Sequence, residues 1–194
     1  MIVGLLLAAG RSRRFGGDKL CAKLDGRAVV RWSIGALAPL DAIYVVIPPG
    51  ADAVTQALSR LDVRFVVNLG RDEGMASSIR AGIGALPPSV TAVVISLADQ
   101  PCGSAAVTTA LADRWRVGDV DAVVPSYLDG RGHPVLFGRA CFPDLLALRG
   151  DVGARGVIEG LGARAAIIAV PAPMPVDVDT PAALAALQLA RRDS

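Results

Sequence analysis

Short runs of apolar, β-branched residues alternate with segments of helical period along almost the whole chain. The pattern predicts strands at 2–8, 42–47, 64–67, 91–96, 122–124, 134–137, 165–170 and 176–178. Several of these are apolar on both faces, as parallel strands covered by helices on either side must be. Between them the period changes. Val30, Ile34 and Leu37 fall on one helical face, as do Val54, Ala57, Leu58 and Leu61. Ser104 is placed to cap a helix running toward Trp115, and Asp151 one running toward Glu159. Thr180 followed by Pro181 reads as the cap and first position of a last helix. There is no repeat, low-complexity tract or linker; Pro87-Pro88 and the stretch 171–175 punctuate loops. These signals predict one three-layer α/β/α domain over residues 1–194 with a mainly parallel sheet.

Composition narrows the picture only slightly. A chain of 194 residues can bury a core, and its apolar fraction of 53% is rich in alanine and valine. A net charge of +2 with 4% aromatic residues gives no basic, aromatic-studded face for nucleic acid. Cys21, Cys102 and Cys141 form no CxxC pair and are odd in number, which suits a reducing compartment. The apolar opening 1–9 has no basic stretch before it and is too short to cross a bilayer, so it reads as a buried strand. No other run reaches membrane-spanning length, and the expected location is the cytoplasm, away from any membrane.

The basic residues do concentrate at one place. After the first strand comes Ala8-Ala9-Gly10-Arg11-Ser12-Arg13-Arg14-Phe15-Gly16-Gly17-Asp18-Lys19. Small residues let the backbone approach a ligand, successive N–H groups can wrap an anion, and the cations add charge, which is the chemistry of a triphosphate site. Two better-known patterns fail. A Walker A loop needs Gly-Lys before Ser or Thr, whereas Lys19 lies between Asp18 and Leu20; Ser12 stands where the dinucleotide fingerprint needs its second glycine. The competing reading is a solvated turn, which four cations and three glycines between a strand and a helix disfavour.

Two carboxylate positions add to this. Asp99 follows an apolar strand at its carboxyl end, the edge where open α/β sheets bind ligands, and Pro101 ends the strand. It can hold Mg²⁺, which takes few protein ligands and completes its shell with phosphate oxygens, or it can cap a turn. Asp177 and Asp179, two apart in an extended segment, point to one face while Val176 and Val178 point to the core. Asp179 also precedes Thr180-Pro181, so a helix-entry role competes.

Leu7-Ala8-Ala9-Gly10-x-Ser12-x-Arg14-Phe15-Gly16 followed by Lys19 resembles the signature loop of the molybdenum cofactor nucleotidyltransferases, within the glycosyltransferase-A-like group of NTP transferases. Further segments follow in the family's order: Glu73-Gly74-Met75-x-Ser77-Ser78-Ile79-Arg80-Ala81-Gly82, Leu97-Ala98-Asp99-Gln100-Pro101, Gly132-His133-Pro134, Gly150-Asp151-Val152-Gly153-Ala154-Arg155 and Asp177-Val178-Asp179-Thr180-Pro181. Each is weak alone; the ordered set is specific. Phe15 replaces the usual methionine, and Lys23 and Ala28 stand where prolines are common.

The resemblance implies a Mg²⁺-dependent transfer of a nucleoside monophosphate from an NTP to a phosphorylated acceptor. It implies Arg14 and Lys19 on the leaving pyrophosphate and Asp99 and Asp179 as metal ligands, with Asp177 the alternative second ligand. Leu7, Ala8, Ala9, Gly10, Arg11, Ser12, Ser77 and Ser78 are then expected at the nucleotide. His133, Asp151 and Arg155 are expected near the acceptor, with capping or orienting roles as their alternatives. CTP and molybdopterin are the expected substrates, with a molybdoenzyme receiving the product. Guanylyl transferases of the group tend to have Gly-Gly where this chain has Ala9-Gly10, and the Ala9 methyl takes space a purine needs. The rivals are a guanylyl or sugar-phosphate nucleotidyltransferase and a nucleotide- or pterin-binding carrier without catalysis. The cytidylyltransferases of isoprenoid synthesis share Ala-Ala-Gly but continue with Pro-Lys-Gln, absent here.

Overall fold

The strand β1 (Ile2–Leu7) is apolar on both faces, and both faces are buried. In the computed structural model, which describes residues 1–12 and 14–192, it lies at the middle of an eight-stranded sheet. A short hairpin of β2 (Lys23–Leu24) and β3 (Arg27–Ala28) follows the cationic loop and leads into α1 (Val29–Ser33). Then come β4 (Ala42–Ile47), α2 (Asp52–Leu58), β5 (Arg64–Val67), α3 (Met75–Gly84), β6 (Ala92–Leu97) and α4 (Ala105–Arg116). The second half adds β7 (Ala122–Tyr127), β8 (Gly130–Arg131), β9 (Val135–Gly138), α5 (Phe142–Ala147), α6 (Arg155–Leu161), β10 (Ala165–Ala169) and α7 (Pro181–Arg192).

The strand order is β10-β7-β9-β6-β1-β4-β5, with β8 paired to β7. β1 pairs parallel with β4 and β6, β4 with β5, and β10 with β7. β9 runs antiparallel between β6 and β7, and β8 is antiparallel to β7. The expected α/β/α architecture with a mainly parallel sheet is therefore present. Alternation along β1 builds the layers. Ile2 and Leu6 join Val30, Val54 and Leu111 on one face, while Val3 and Leu5 join Ile79, Ile83 and Leu145 on the other. Gly82 lets α3 settle onto β1, because a Cβ there would lie 2.5 Å from the Leu5 side chain. No helix among the described residues is long and apolar enough to cross a membrane.

Several local expectations change. The face of Val30, Ile34 and Leu37 is buried, but α1 ends at Ser33 and continues as a 3₁₀ turn, Ile34–Leu37. Leu61 packs against the core beyond the end of α2. Residues 176–178 form no strand, and Val176 is exposed while Val178 is buried. The segment leaves the sheet because its Val178 N–H bonds the loop carbonyl of Asp99 at 2.8 Å instead of a strand neighbour. Ser104 precedes α4 without a capping bond from its side chain. Thr180 does cap α7, accepting from Ala183 N–H at 3.1 Å. Asp151 does not cap α6, whose N-cap is Ala154; its carboxylate accepts from the first N–H of α3, Met75, at 3.1 Å.

Candidate active site

Parallel pairing sets Leu7 beside Leu97, so the chains leaving β1 and β6 emerge side by side at the carboxyl edge of the sheet. Ala98 N–H donates to Leu7 O at 3.1 Å, and the Ser33 hydroxyl meets Ala98 O at 2.7 Å, holding the turn that presents Asp99. From the other side, the Val178 N–H on Asp99 O brings in the segment that carries Asp179.

Into the gap between the two carboxylates comes Lys19, only 8% exposed. Its Nζ donates to Asp99 Oδ2 at 2.5 Å and to Asp179 Oδ1 at 2.8 Å. Arg14 Nη2 takes the other Asp179 oxygen at 2.7 Å, its side chain otherwise largely in solvent. Residues separated by 160 positions thus form one four-membered charge cluster. Burial by itself would lower the Lys19 pKa, but the hydrogen bonds it donates to Asp179 and Asp99, with their charges, outweigh it and hold the ammonium above the ordinary lysine value. The Lys19 hydrogen bond, with the Arg14 charge behind it, pulls the Asp179 carboxyl below the usual range.

This cluster forms one end of a cleft of about 520 Å³. The near wall is Leu7, Ala9, Gly10, Arg11 and Ser12, with Ser12 in the left-handed region at φ 48°. The far wall is 71–75 with Ser78 and Asp151. Gly74 adopts φ 96°, and a Cβ there would lie 2.5 Å from Asp151 Cα, so only glycine admits the Asp151 backbone at this point. Arg11 and Asp72 form an ion pair between the two walls.

The expected site residues divide accordingly. Leu7, Ala9, Gly10, Arg11, Ser12, Arg14, Lys19, Ser78, Asp99, Asp151 and Asp179 line the cleft. Ala8 and Ser77 do not: Ala8 is buried with its N–H on Val46 O, and the Ser77 hydroxyl, buried at the start of α3, bonds Gly74 O and Asn68. Arg13, part of the basic cluster, lies outside the described residues. His133 and Arg155 belong to a second cavity of about 660 Å³, which also holds Asp177. Leu7, Met75 and Leu97 line both spaces, so the two are adjoining chambers. Asp151 faces the first chamber rather than the second. His133 is held neutral by burial, which outweighs its contact with Ile95 O and the charges of Asp177 and Asp99.

Sequence reasoning passed over Arg71 and Gln100. Arg71 lines the cleft, and its Nε is buried with no hydrogen-bond partner among the described residues. Gln100, 6% exposed, donates from Nε2 to Asp177 Oδ1 at 2.9 Å. Its place directly after Asp99 was the available signal. Such an arrangement can neutralise a polyphosphate beside a carboxylate pair, while leaving room next door for a second substrate.

Comparisons with known proteins identify the family and the fold. The family profile described as the MobA-like NTP transferase domain matches residues 4–166. The chain is 30% identical to the Bacillus subtilis purine catabolism protein PucB, over 93% of this chain and 92% of that protein. It is 33% identical to a probable molybdenum cofactor guanylyltransferase of Chloroflexus aggregans, over 65% of this chain and 58% of that protein's length. The crystal structure of Rv0371C from Mycobacterium tuberculosis, in complex with manganese, superposes with a TM-score of 0.82 at 27% identity, covering 97% of this chain and 98% of that one.

Proposed function

We propose that this chain, which belongs to the MobA-like NTP transferase domain family and is therefore a nucleotidyltransferase, transfers CMP from CTP to molybdopterin with release of pyrophosphate. The observation that carries the reading is the convergence of Arg14, Lys19, Asp99 and Asp179 at the end of a cleft walled on one side by the loop 9–12 and opening onto a second chamber.

The donor set fits a divalent cation. Asp99 and Asp179 already bracket a positive charge, the Lys19 ammonium, and no third acidic, histidine or cysteine side chain joins them among the described residues. That is the donor poverty Mg²⁺ tolerates, since it completes its shell with phosphate oxygens and water. When bound, the ion supplies charge neutralisation along the phosphates. The Rv0371C structure is a complex with manganese, which supports a divalent ion as the cofactor.

The chain's own groups supply the rest. The loop 9–12 fixes the triphosphate through its backbone, and Arg11 and Arg71 flank it with positive charge. An oxygen of the acceptor phosphate forms a bond to the α-phosphorus in line with the bridging oxygen, whose bond to that phosphorus breaks as pyrophosphate leaves. A phosphate needs no base to attack. Arg14 and Lys19 meet the charge that grows on pyrophosphate, so positioning and electrostatics carry the step.

Ala9 supports CTP over GTP: it is a buried residue of the cleft wall, and a methyl at this position takes space a purine needs. The guanylyltransferase naming of the Chloroflexus relative favours the rival base. The deciding experiment measures pyrophosphate release with molybdopterin and Mg²⁺, using CTP, GTP and ATP in turn. Release with CTP far above the others supports the reading, and equal release with GTP removes the cytidylyl assignment. Nucleotide bound without any release would instead make the protein a carrier.

A further inference from the structure

The second chamber has a polar end that no part of the transfer step uses. Its body is apolar, walled by Ile79, Ile95, Val124, Val135, Phe137 and Ile158, as suits a flat ring. At one end lie Gln100, Asp177 and His133. Gln100 Nε2 donates to Asp177 Oδ1, which steadies the carboxylate and leaves Oδ2 and the second lone pair of Oδ1 to accept. His133 Nδ1 is 3.4 Å from Ile95 O, which favours the tautomer with its proton on Nδ1 and Nε2 as an acceptor. Tyr127 donates its hydroxyl to His133 O at 2.7 Å and so anchors this residue from behind. Asp177 and His133 therefore offer hydrogen-bond acceptors beside the apolar residues, with Arg131, Arg155 and Glu159 elsewhere on the chamber wall.

We propose that Asp177, oriented by Gln100, is the specificity-determining residue of the second chamber, and that it reads an aromatic N-heterocycle presenting an amino group next to a ring N–H. This rests on the proposed function, since it makes the 2-amino-4-oxo edge of a pterin the recognised feature of the acceptor. The carboxylate takes the amino and ring N–H groups together, the paired geometry in which a planar donor edge and a carboxylate match best. Asp177 is kept apart from the phosphate chemistry by its position: Asp179 lines the nucleotide cleft, whereas Asp177 lines the neighbouring chamber. The adjoining walls at Leu7, Met75 and Leu97 let the ring sit in one chamber while its phosphate arm reaches the other.

The test is binding of 6-hydroxymethylpterin, which has the edge and no phosphate, to the native protein by fluorescence titration. Lumazine is measured beside it; a carbonyl replaces the amino group there and would face the carboxylate. Pterin should bind at least ~10-fold more tightly than lumazine, since a buried site that loses a charged hydrogen bond discriminates by that order. Asp177→Asn should erase most of the difference and Gln100→Leu should reduce it, with melting curves showing that both variants are folded. Equal binding of the two pteridines by the native protein, or an unchanged ratio in a folded Asp177→Asn variant, overturns the proposal. Failure of the broader reading looks different: pterin preference with no pyrophosphate release from any NTP refutes the transferase assignment and leaves this recognition standing.

Discussion

The main-chain N–H of Val178 donates to the main-chain carbonyl of Asp99 at 2.8 Å, and this bond ties the last loop of the chain to the end of the central strand β6. Because the contact is backbone to backbone, the separation of the Asp99 and Asp179 side chains is set by main chain and not by their own charges. The pair is preorganised in the sense that transition-state stabilisation requires.

Asp99→Asn and Asp179→Asn should each collapse transfer, and the double variant should be little worse than either, because two ligands of one ion act as a unit. Each substitution also removes a charged partner from a buried ammonium. A partial loss of about 1–2 kcal/mol in stability is therefore expected, discounted for the partial exposure of both carboxylates. A double-mutant cycle on pyrophosphate release across a Mg²⁺ titration, with melting curves, checks both parts. Additive catalytic losses would make these structural aspartates.

Lys19→Ala leaves the two carboxylates facing each other without their shared cation. Transfer should fall steeply, while Mg²⁺ binding in the absence of nucleotide should tighten, as the ion replaces the missing charge. Arg14→Ala, at an exposed side chain, should slow transfer less and leave folding unchanged. Lys19→Arg should rescue incompletely, since a planar fork does not replace a point charge between two oxygens. Native turnover in both alanine variants would return the loop to a solvated turn.

Ala9→Gly should raise GTP turnover relative to CTP. One methyl in a pocket is worth roughly 1–3 kcal/mol, so discrimination should relax without reversing. An unchanged CTP to GTP ratio in kcat/KM would show that Ala9 does not sense the base.

Gly74→Ala should be poorly tolerated. The new Cβ would strike the Asp151 backbone, and φ 96° is strained for any other residue. A loss of roughly 1–3 kcal/mol is expected, with weakened nucleotide binding as the Asp151 bond to Met75 N–H is broken. Native melting and native CTP affinity would mean that this wall of the cleft yields easily.

Alkaline stability follows from burial of Tyr127, whose phenol is pushed up to about 12 from 10.0. The unfolded chain releases this proton near pH 10 while the folded chain keeps it, so the stability present below pH 10 drains away as pH rises toward 12. Burial likewise raises Cys21 and Cys141 to about 11 from 9.0, with the same sign beginning one unit lower. Denaturant midpoints should fall from pH 9 upward. Tyr127→Phe should be about 1 kcal/mol less stable at neutral pH, through the lost bond to His133 O, yet flatter above pH 10. Parallel profiles for native and variant protein would contradict this.

The sequence made the layered architecture legible because strand burial and helix period are local properties. It also named all four members of the charge cluster, through a resemblance carried by motifs that lie far apart along the chain. What it missed depends on contacts across long separations. Asp151 looked like the cap of its own following helix, but its carboxylate serves α3, which approaches only because Gly74 yields space. The extended pattern of 176–178 resembled a strand, yet its one long-range backbone bond goes to a loop carbonyl. The resemblance places Lys19 on the leaving pyrophosphate; nothing local announces that two aspartates hold it from either side.

The wall shared by Leu7, Met75 and Leu97 has a kinetic corollary. Under the proposed function each substrate takes one chamber, so a product joining nucleotide to ring would span both at once, and either half could re-engage while the other stays seated. Its residence time should therefore exceed that of either substrate. Departure, rather than bond formation, then paces the cycle, and a protein that receives the product directly would raise the turnover measured in its absence.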